Sequence, residues 1–206
     1  MTASKINFDN VFTHLKDIGL LHLAGDEIPN VRELVTGKKS KGSWWADPAA
    51  HQIFAVTQLL EDHPDVTITK LISRKVTLVH RKLWTRLFAV ATGRDEWQIQ
   101  GLSRPTALLL KQVEKEGTLL TNNIKRSDTK IGDAARELEF RLLIHSDQFH
   151  TESGAHAKRL ETWELWARRV DLKGRSVRSE LARSFFEERL NEINKSYSRR
   201  GHLPWQ

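Results

Sequence analysis

Cysteine is absent from the 206 residues. With it go disulfides, thiolate metal sites and a cysteine nucleophile, a pattern that fits a reducing compartment. No apolar run approaches the ~20 residues of a membrane span. The first ten residues, MTASKINFDN, hold no apolar signal core. The chain therefore reads as a soluble, cytoplasmic protein with no membrane partner. Catalytic signatures are missing as well: there is no G-x-S-x-G elbow, no HExxH and no glycine-rich dinucleotide loop. These gaps disfavour the common hydrolase and oxidoreductase classes, and no cofactor is expected. Tyrosine occurs once, against seven tryptophans, and most of those large indoles are expected in the core.

What is present is positive charge. The formal net charge is +7, and between Arg168 and Arg200 ten Lys/Arg stand against five Asp/Glu. A basic chain of this kind favours a polyanionic partner, most often nucleic acid.

Phe8, Val11, Phe12, Leu15 and Ile18 recur at helical spacing, and Gly19 ends that helix. A loop with Pro29 and a short helix up to Gly37 follow. The segment GKKSKGSWWADP crowds turn formers, lysines and two tryptophans together but lacks the Walker spacing. It reads as an ordered loop into a helix, with Asp47 as N-cap and Pro48 as the first helical residue. The helix Ala49–Glu61 is expected to turn Ala50, Ile53, Phe54, Leu59 and Leu60 inward. VTITKLI and KVTLVHR alternate with period two around Ser73-Arg74, which marks a hairpin whose turn lacks glycine. A helix carrying Leu83, Trp84, Leu87, Phe88 and Ala91 ends at Gly93, and EWQIQGLSRP links onward.

Residues Leu102 to Trp166 carry the strongest architectural signal. Ser103 caps a helix over Pro105–Glu116 that is expected to bury Leu108, Leu109 and Val113, and Gly117 stops it. Thr121 caps a second helix. A third has Asp133 in its first turn, where a carboxylate suits the helix dipole, and Ala134, Leu138, Leu142 and Leu143 inward. Glu152-Ser153-Gly154 then turns between strands at Ile144–Thr151 and Ala155–Thr162. Two scaffold helices, a groove helix and a ribbon make a winged helix-turn-helix, and the first half repeats the helix-then-hairpin order. A connector, Arg168–Ser176, leads to a long helix with Val177, Leu181, Phe185, Leu190, Ile193 and Tyr197 as its apolar stripe, and to a loosely attached tail, SRRGHLPWQ. The expected fold is α+β, mainly α: tandem winged helix-turn-helix-like modules with two short β-hairpins. The expected divisions are an N-terminal module (1–100), a winged-helix module (101–168) and a C-terminal basic helix and tail (169–206).

Lys38, Lys39 and Lys41 beside Trp44 and Trp45 form the best base-stacking candidate, since lysines neutralise phosphate while an indole face accepts an unstacked base. Arg74 and Lys75 at the first hairpin are further phosphate candidates. In the 101–168 module, Arg136 and Arg141 face outward on the helix proposed for the groove. His150, Thr151, Lys158 and Arg159 lie on the ribbon that would follow the backbone. His145, His150, Glu152 and His156 fall within twelve residues and raise zinc. A spacing of five turns two helical residues about 140 degrees apart, and on a strand it sends them to opposite faces. The reading is no metal. Glu137, Glu139, Glu161 and Glu164 lack the D-x(n)-E-x-K frame of a Mg²⁺ nuclease.

The blocks GLLHLAGDEIP, GSWWADP, ITKLISRKVTLVHRKLW and AARELEFRLLIHSDQFHTESGAHAKRLETW resemble uncharacterised bacterial proteins described as related to AlkZ, after glycosylases that unhook DNA interstrand crosslinks. The resemblance runs in order from about Gly19 to Trp166. It implies tandem winged-helix modules and DNA as the ligand. Those glycosylases use a Gln-x-Gln motif near the N-terminus, and Gln98-Ile99-Gln100 has that form but lies after the first hairpin. If it served catalysis, the two amides would position a water beside a base taken out of the stack. The function expected is DNA binding in repair or regulation. The alternatives are base removal by a glycosylase-like enzyme and a protein-interaction module that forms a homodimer.

Overall fold

The computed structural model describes residues 3–39, 42–121, 131–150, 156–174 and 176–206, with the side chains of 3–6, 149, 150 and 156 left aside. The chain divides into two compact units, Met1–Trp84 with Arg183–Pro204 and Gln206, and Thr85–Ala182 with Trp205. The first boundary thus falls near residue 84 rather than 100, and the C-terminal segment is shared out instead of standing apart.

In the first unit the order is α1 (Ala3–Ile18), β1 (Leu20–His22), α2 (Val31–Thr36), α3 (Ala50–Glu61), β2 (Val66–Ile72) and β3 (Lys75–His80). Gly19 makes the turn into β1 at φ 85°, and a Cβ there would meet Leu83 at 2.7 Å, so glycine is required twice over. Asn30 caps α2 by accepting from the Glu33 amide at 2.9 Å. The hairpin turns through Ser73 and Arg74 at φ 50° and 58°, with Ile72 paired to Lys75. Two consecutive left-handed residues match the twist of the strands, which is how a two-residue turn closes without glycine. The strand β1 pairs antiparallel with β3, giving the order β1-β3-β2. Val11, Leu15, Leu21, Val31, Val56, Leu60, Val66 and Leu78 form one core cluster between helices and sheet.

The second unit holds α4 (Trp84–Ala91, from Thr85 on), α5 (Glu96–Ile99), α6 (Arg104–Glu116), β4 (Thr118–Leu120), α7 (Ile131–Phe140), β5 (His145–His150), β6 (His156–Glu161) and α8 (Trp163–Arg169). Ser103 caps α6 as expected. Again the short strand joins the second strand of the hairpin, in the order β4-β6-β5. Leu109, Leu110, Val113, Leu119, Ala134, Ala135, Leu138, Leu143, Ile144 and Leu160 make the core. The expected helix capped by Thr121 falls on residues 122–130, outside the described residues. Each unit therefore runs helix, short strand, helix before hairpin, with the short strand on the same side of the hairpin, which is winged-helix order. Each of the two expected hairpins supplies the central strand and one edge strand of a three-stranded antiparallel sheet.

The last helix, α9 (Ser179–Tyr197), supplies residues to both units. The tail after it is held, not loose: Leu203 is 1% exposed, Arg199 pairs with Glu33 at 2.6 Å, and the Ser73 amide donates to the His202 carbonyl at 2.9 Å.

Candidate nucleic-acid interface

In the first unit, a buried cation fixes the loop before α3. Arg32 donates from Nε to Asp47 at 2.9 Å and from Nη1 to the Gly42 carbonyl at 3.0 Å, while Asp47 accepts from the Ala49 amide at 3.0 Å. The amide of Ala49, then Arg32, hold the Asp47 carboxyl below its ordinary range. Asp47 thus steadies the helix start from two residues before the formal cap, since the N-cap position is Ala49 and not Asp47.

That anchored loop presents aromatics outward. Trp45 is 65% exposed and stacks on Trp44 with ring centroids 3.9 Å apart. Phe54, on the first turns of α3, lies 5.9 Å from Trp45 and is itself 40% exposed. The sequence reading placed Phe54 and Leu59 in the core. Instead Ile53, Val56, Thr57 and Leu60 are buried, and both Phe54 and Leu59 face outward. Lys38 and Lys39 are exposed on the same loop, and Lys41 lies outside the described residues. At the hairpin, Lys75 pairs with Glu27 at 2.5 Å, and Arg74 sits at the exposed tip.

The cations expected to make contacts from α7 and the ribbon of the second unit are mostly spent on carboxylates. Arg136 pairs with Asp133 at 2.7 Å. Arg141 pairs with Glu137 at 3.3 Å and donates from Nη1 to the carbonyls of Trp97 at 3.0 Å, Gln98 at 3.3 Å and Gln100 at 2.8 Å. Lys158 pairs with the buried Glu139, and Arg159 with Asp147. Of the expected ribbon contacts, the His150 side chain and Thr151 lie outside the described residues. No family model, curated protein or solved structure matches this chain.

Gln98 and Gln100 do not converge. Gln98 is 0% exposed and its amide is fully engaged: Oε1 accepts from the Asp95 amide at 3.1 Å, and Nε2 donates to the carbonyls of Ala91 at 3.2 Å and Arg141 at 3.1 Å. Gln100 is exposed at the end of α5. The first of the two amides has no face for a water or a sugar.

Sequence reasoning weighed His145 and Glu161 in separate clusters and did not bring them together. His145, Asp147 and Glu161 meet at the base of the second ribbon, with candidate ligand atoms within 4.8 Å of one another. His145 lies 3.1 Å from Glu161 and 3.7 Å from Asp147, under the rings of Trp163 and Trp166. Two guanidiniums already satisfy these acids: Arg169 bonds both carboxylates, and Arg159 bonds Asp147. Burial alone pushes the Glu161 carboxyl up, but the hydrogen bonds and charges of His145 and Arg169 outweigh it and hold the group at about 2. The donor set is that of an ion network binding β5, β6 and α8 together. Its signal in the sequence is the pairing of His145 opposite Glu161, which only the strand register reveals.

Proposed function

We propose that this chain binds DNA as a tandem winged-helix protein, with the aromatic step of the first unit as its main contact. The observation that carries the reading is the Trp44-Trp45-Phe54 step at the start of α3, the helix that occupies the groove position in winged-helix order. A tryptophan left 65% exposed and already stacked on a second indole offers a flat π-face on the same loop as the exposed Lys38 and Lys39, and an indole face with lysines is what an unstacked base and its phosphates require. The resemblance to AlkZ-related proteins points to the same ligand.

Titration of labelled duplex and single-stranded DNA, followed by anisotropy at two salt concentrations, tests the reading. Binding weakens as salt rises, and Trp45→Ala weakens it about 5- to 150-fold, the worth of one stacked base at about 1–3 kcal/mol. Its melting temperature stays put, because a side chain so exposed contributes little to the core. Absence of binding at low salt overturns the proposal.

A specific observation favours a second reading, a protein-interaction module. The outward face of α7 pairs Asp133 with Arg136 and Glu137 with Arg141, so it is close to neutral rather than cationic. That reading requires a concentration-dependent dimer that survives Arg136→Ala. Base removal by Gln98 and Gln100 draws no support from their placement.

A further inference from the structure

Resting on the DNA-binding reading, we infer that the second unit touches the DNA backbone through the outer face of α6, and not through α7 and the ribbon. Arg104, Lys111 and Lys115 are exposed along this helix. At 100 degrees per residue they and Leu108 fall within an arc of about 60 degrees. Leu108, which the sequence reading buried, is 58% exposed in the middle of that stripe.

The carboxylates of α6 stand on other faces and are occupied. Glu114 pairs with Arg94 at 2.5 Å, and Glu116 accepts from Gln112 at 3.4 Å. Among the described residues no carboxylate pairs with Arg104, Lys111 or Lys115. In this they differ from Arg136, Arg141, Lys158 and Arg159, each of which has an acid beside it. A cation already paired gains little from phosphate, because the carboxylate must first be displaced. An unpaired one releases a counterion from the DNA outright.

The spacing also suits a strand of duplex. With 1.5 Å of rise per residue, Arg104 and Lys111 are about 10.5 Å apart along the axis, and Lys111 and Lys115 about 6 Å. A duplex strand advances only about 3.4 Å per phosphate along its axis while winding around it, so neighbouring phosphates stand farther apart in space than that rise, and the stripe matches a short run of neighbouring phosphates. Long Lys and Arg side chains on one line can each reach a phosphate of such a run.

The experiment compares the full-length protein with the triple variant Arg104→Gln, Lys111→Gln, Lys115→Gln and with a charge-matched control, Lys16→Gln, Lys195→Gln, Arg200→Gln. The probe is a short fluorescein-labelled duplex of mixed sequence, titrated over a series of salt concentrations. Thermal melts verify that both variants fold. For wild type the logarithm of the binding constant falls linearly with that of salt. In the α6 variant the slope becomes shallower by about 2.7, at about 0.9 per phosphate lost. The control keeps the wild-type slope within a fraction of one phosphate. Wild-type binding with an unchanged slope in the α6 variant overturns the inference and leaves the DNA-binding reading standing. An equal loss in both variants also overturns it, since net charge alone would then be acting. A wild type that fails to bind DNA overturns both.

Discussion

The Gln98 side chain is fully enclosed and closes three hydrogen bonds, one from the Asp95 amide and one to each of the carbonyls of Ala91 and Arg141. With Asp95 it forms a reciprocal capping box on α5. Arg141 answers by donating to the carbonyls of Trp97, Gln98 and Gln100. Removing the amide leaves a buried amide hydrogen and two carbonyls short of partners, each a desolvation cost. Gln98→Ala is therefore expected to destabilise the protein by about 1–3 kcal/mol, read as a lower urea midpoint, while Gln100→Ala stays within about 0.5 kcal/mol. An unchanged midpoint in Gln98→Ala would return the residue to candidacy for chemistry. The motif Q-x-Q is visible in the sequence, but nothing in one dimension tells an amide facing a substrate from one turned into a helix cap.

At the scale of elements, periodicity located the longer helices and alternation the first hairpin, because a buried face repeats over many residues, while Glu152-Ser153-Gly154 marked the turn of the second. The short helices α5 and α8 left no such repeat, and two other kinds of feature also escaped it. The strands Leu20–His22 and Thr118–Leu120 are only three residues long, too short for any alternation, and they become strands by pairing with a hairpin formed far along the chain. Helix phase also slipped wherever apolar residues outnumber the buried positions. On α9 the stripe drawn through Leu181 and Phe185 is one step off: Ala182, Phe186, Leu190 and Ile193 are buried, whereas Leu181 is 55% exposed. The same slip put Phe54 and Leu108 inside. Both proposed contact surfaces contain one of these displaced apolar residues, so the errors of phase marked the surfaces worth testing. The phase on α9 is measurable: Phe186→Ala should cost about 3–5 kcal/mol of stability, and Leu181→Gln should fall within about 0.5 kcal/mol of wild type. Equal losses from the two substitutions would show that the helix presents a different face.

For the molecule as a whole, each unit contains a buried ionisable group that acid must disturb, and the two respond over different pH ranges. In the first, burial pushes the His22 imidazole down to about 4, against the opposing pull of Glu27, and burial lowers His14 and His80 in the same sense. Between pH 6.5 and 4 the unfolded chain holds a proton on His22 that the folded chain does not. Stability is thus complete above about 6.5 and is lost as pH falls towards 4. In the second unit the Glu161 carboxyl, held at about 2, refuses a proton that the unfolded chain takes up below about 4.5. Its contribution is present above that value and disappears between 4.5 and 2. At about 1.4 kcal/mol per pKa unit, each window is worth on the order of 3 kcal/mol. Urea unfolding followed from neutral pH downward should show two successive losses, the upper one reduced in His22→Gln and the lower one in Glu161→Gln. A chain whose stability stays flat through the upper window would mean that His22 takes its proton inside the folded protein, against the burial that surrounds it.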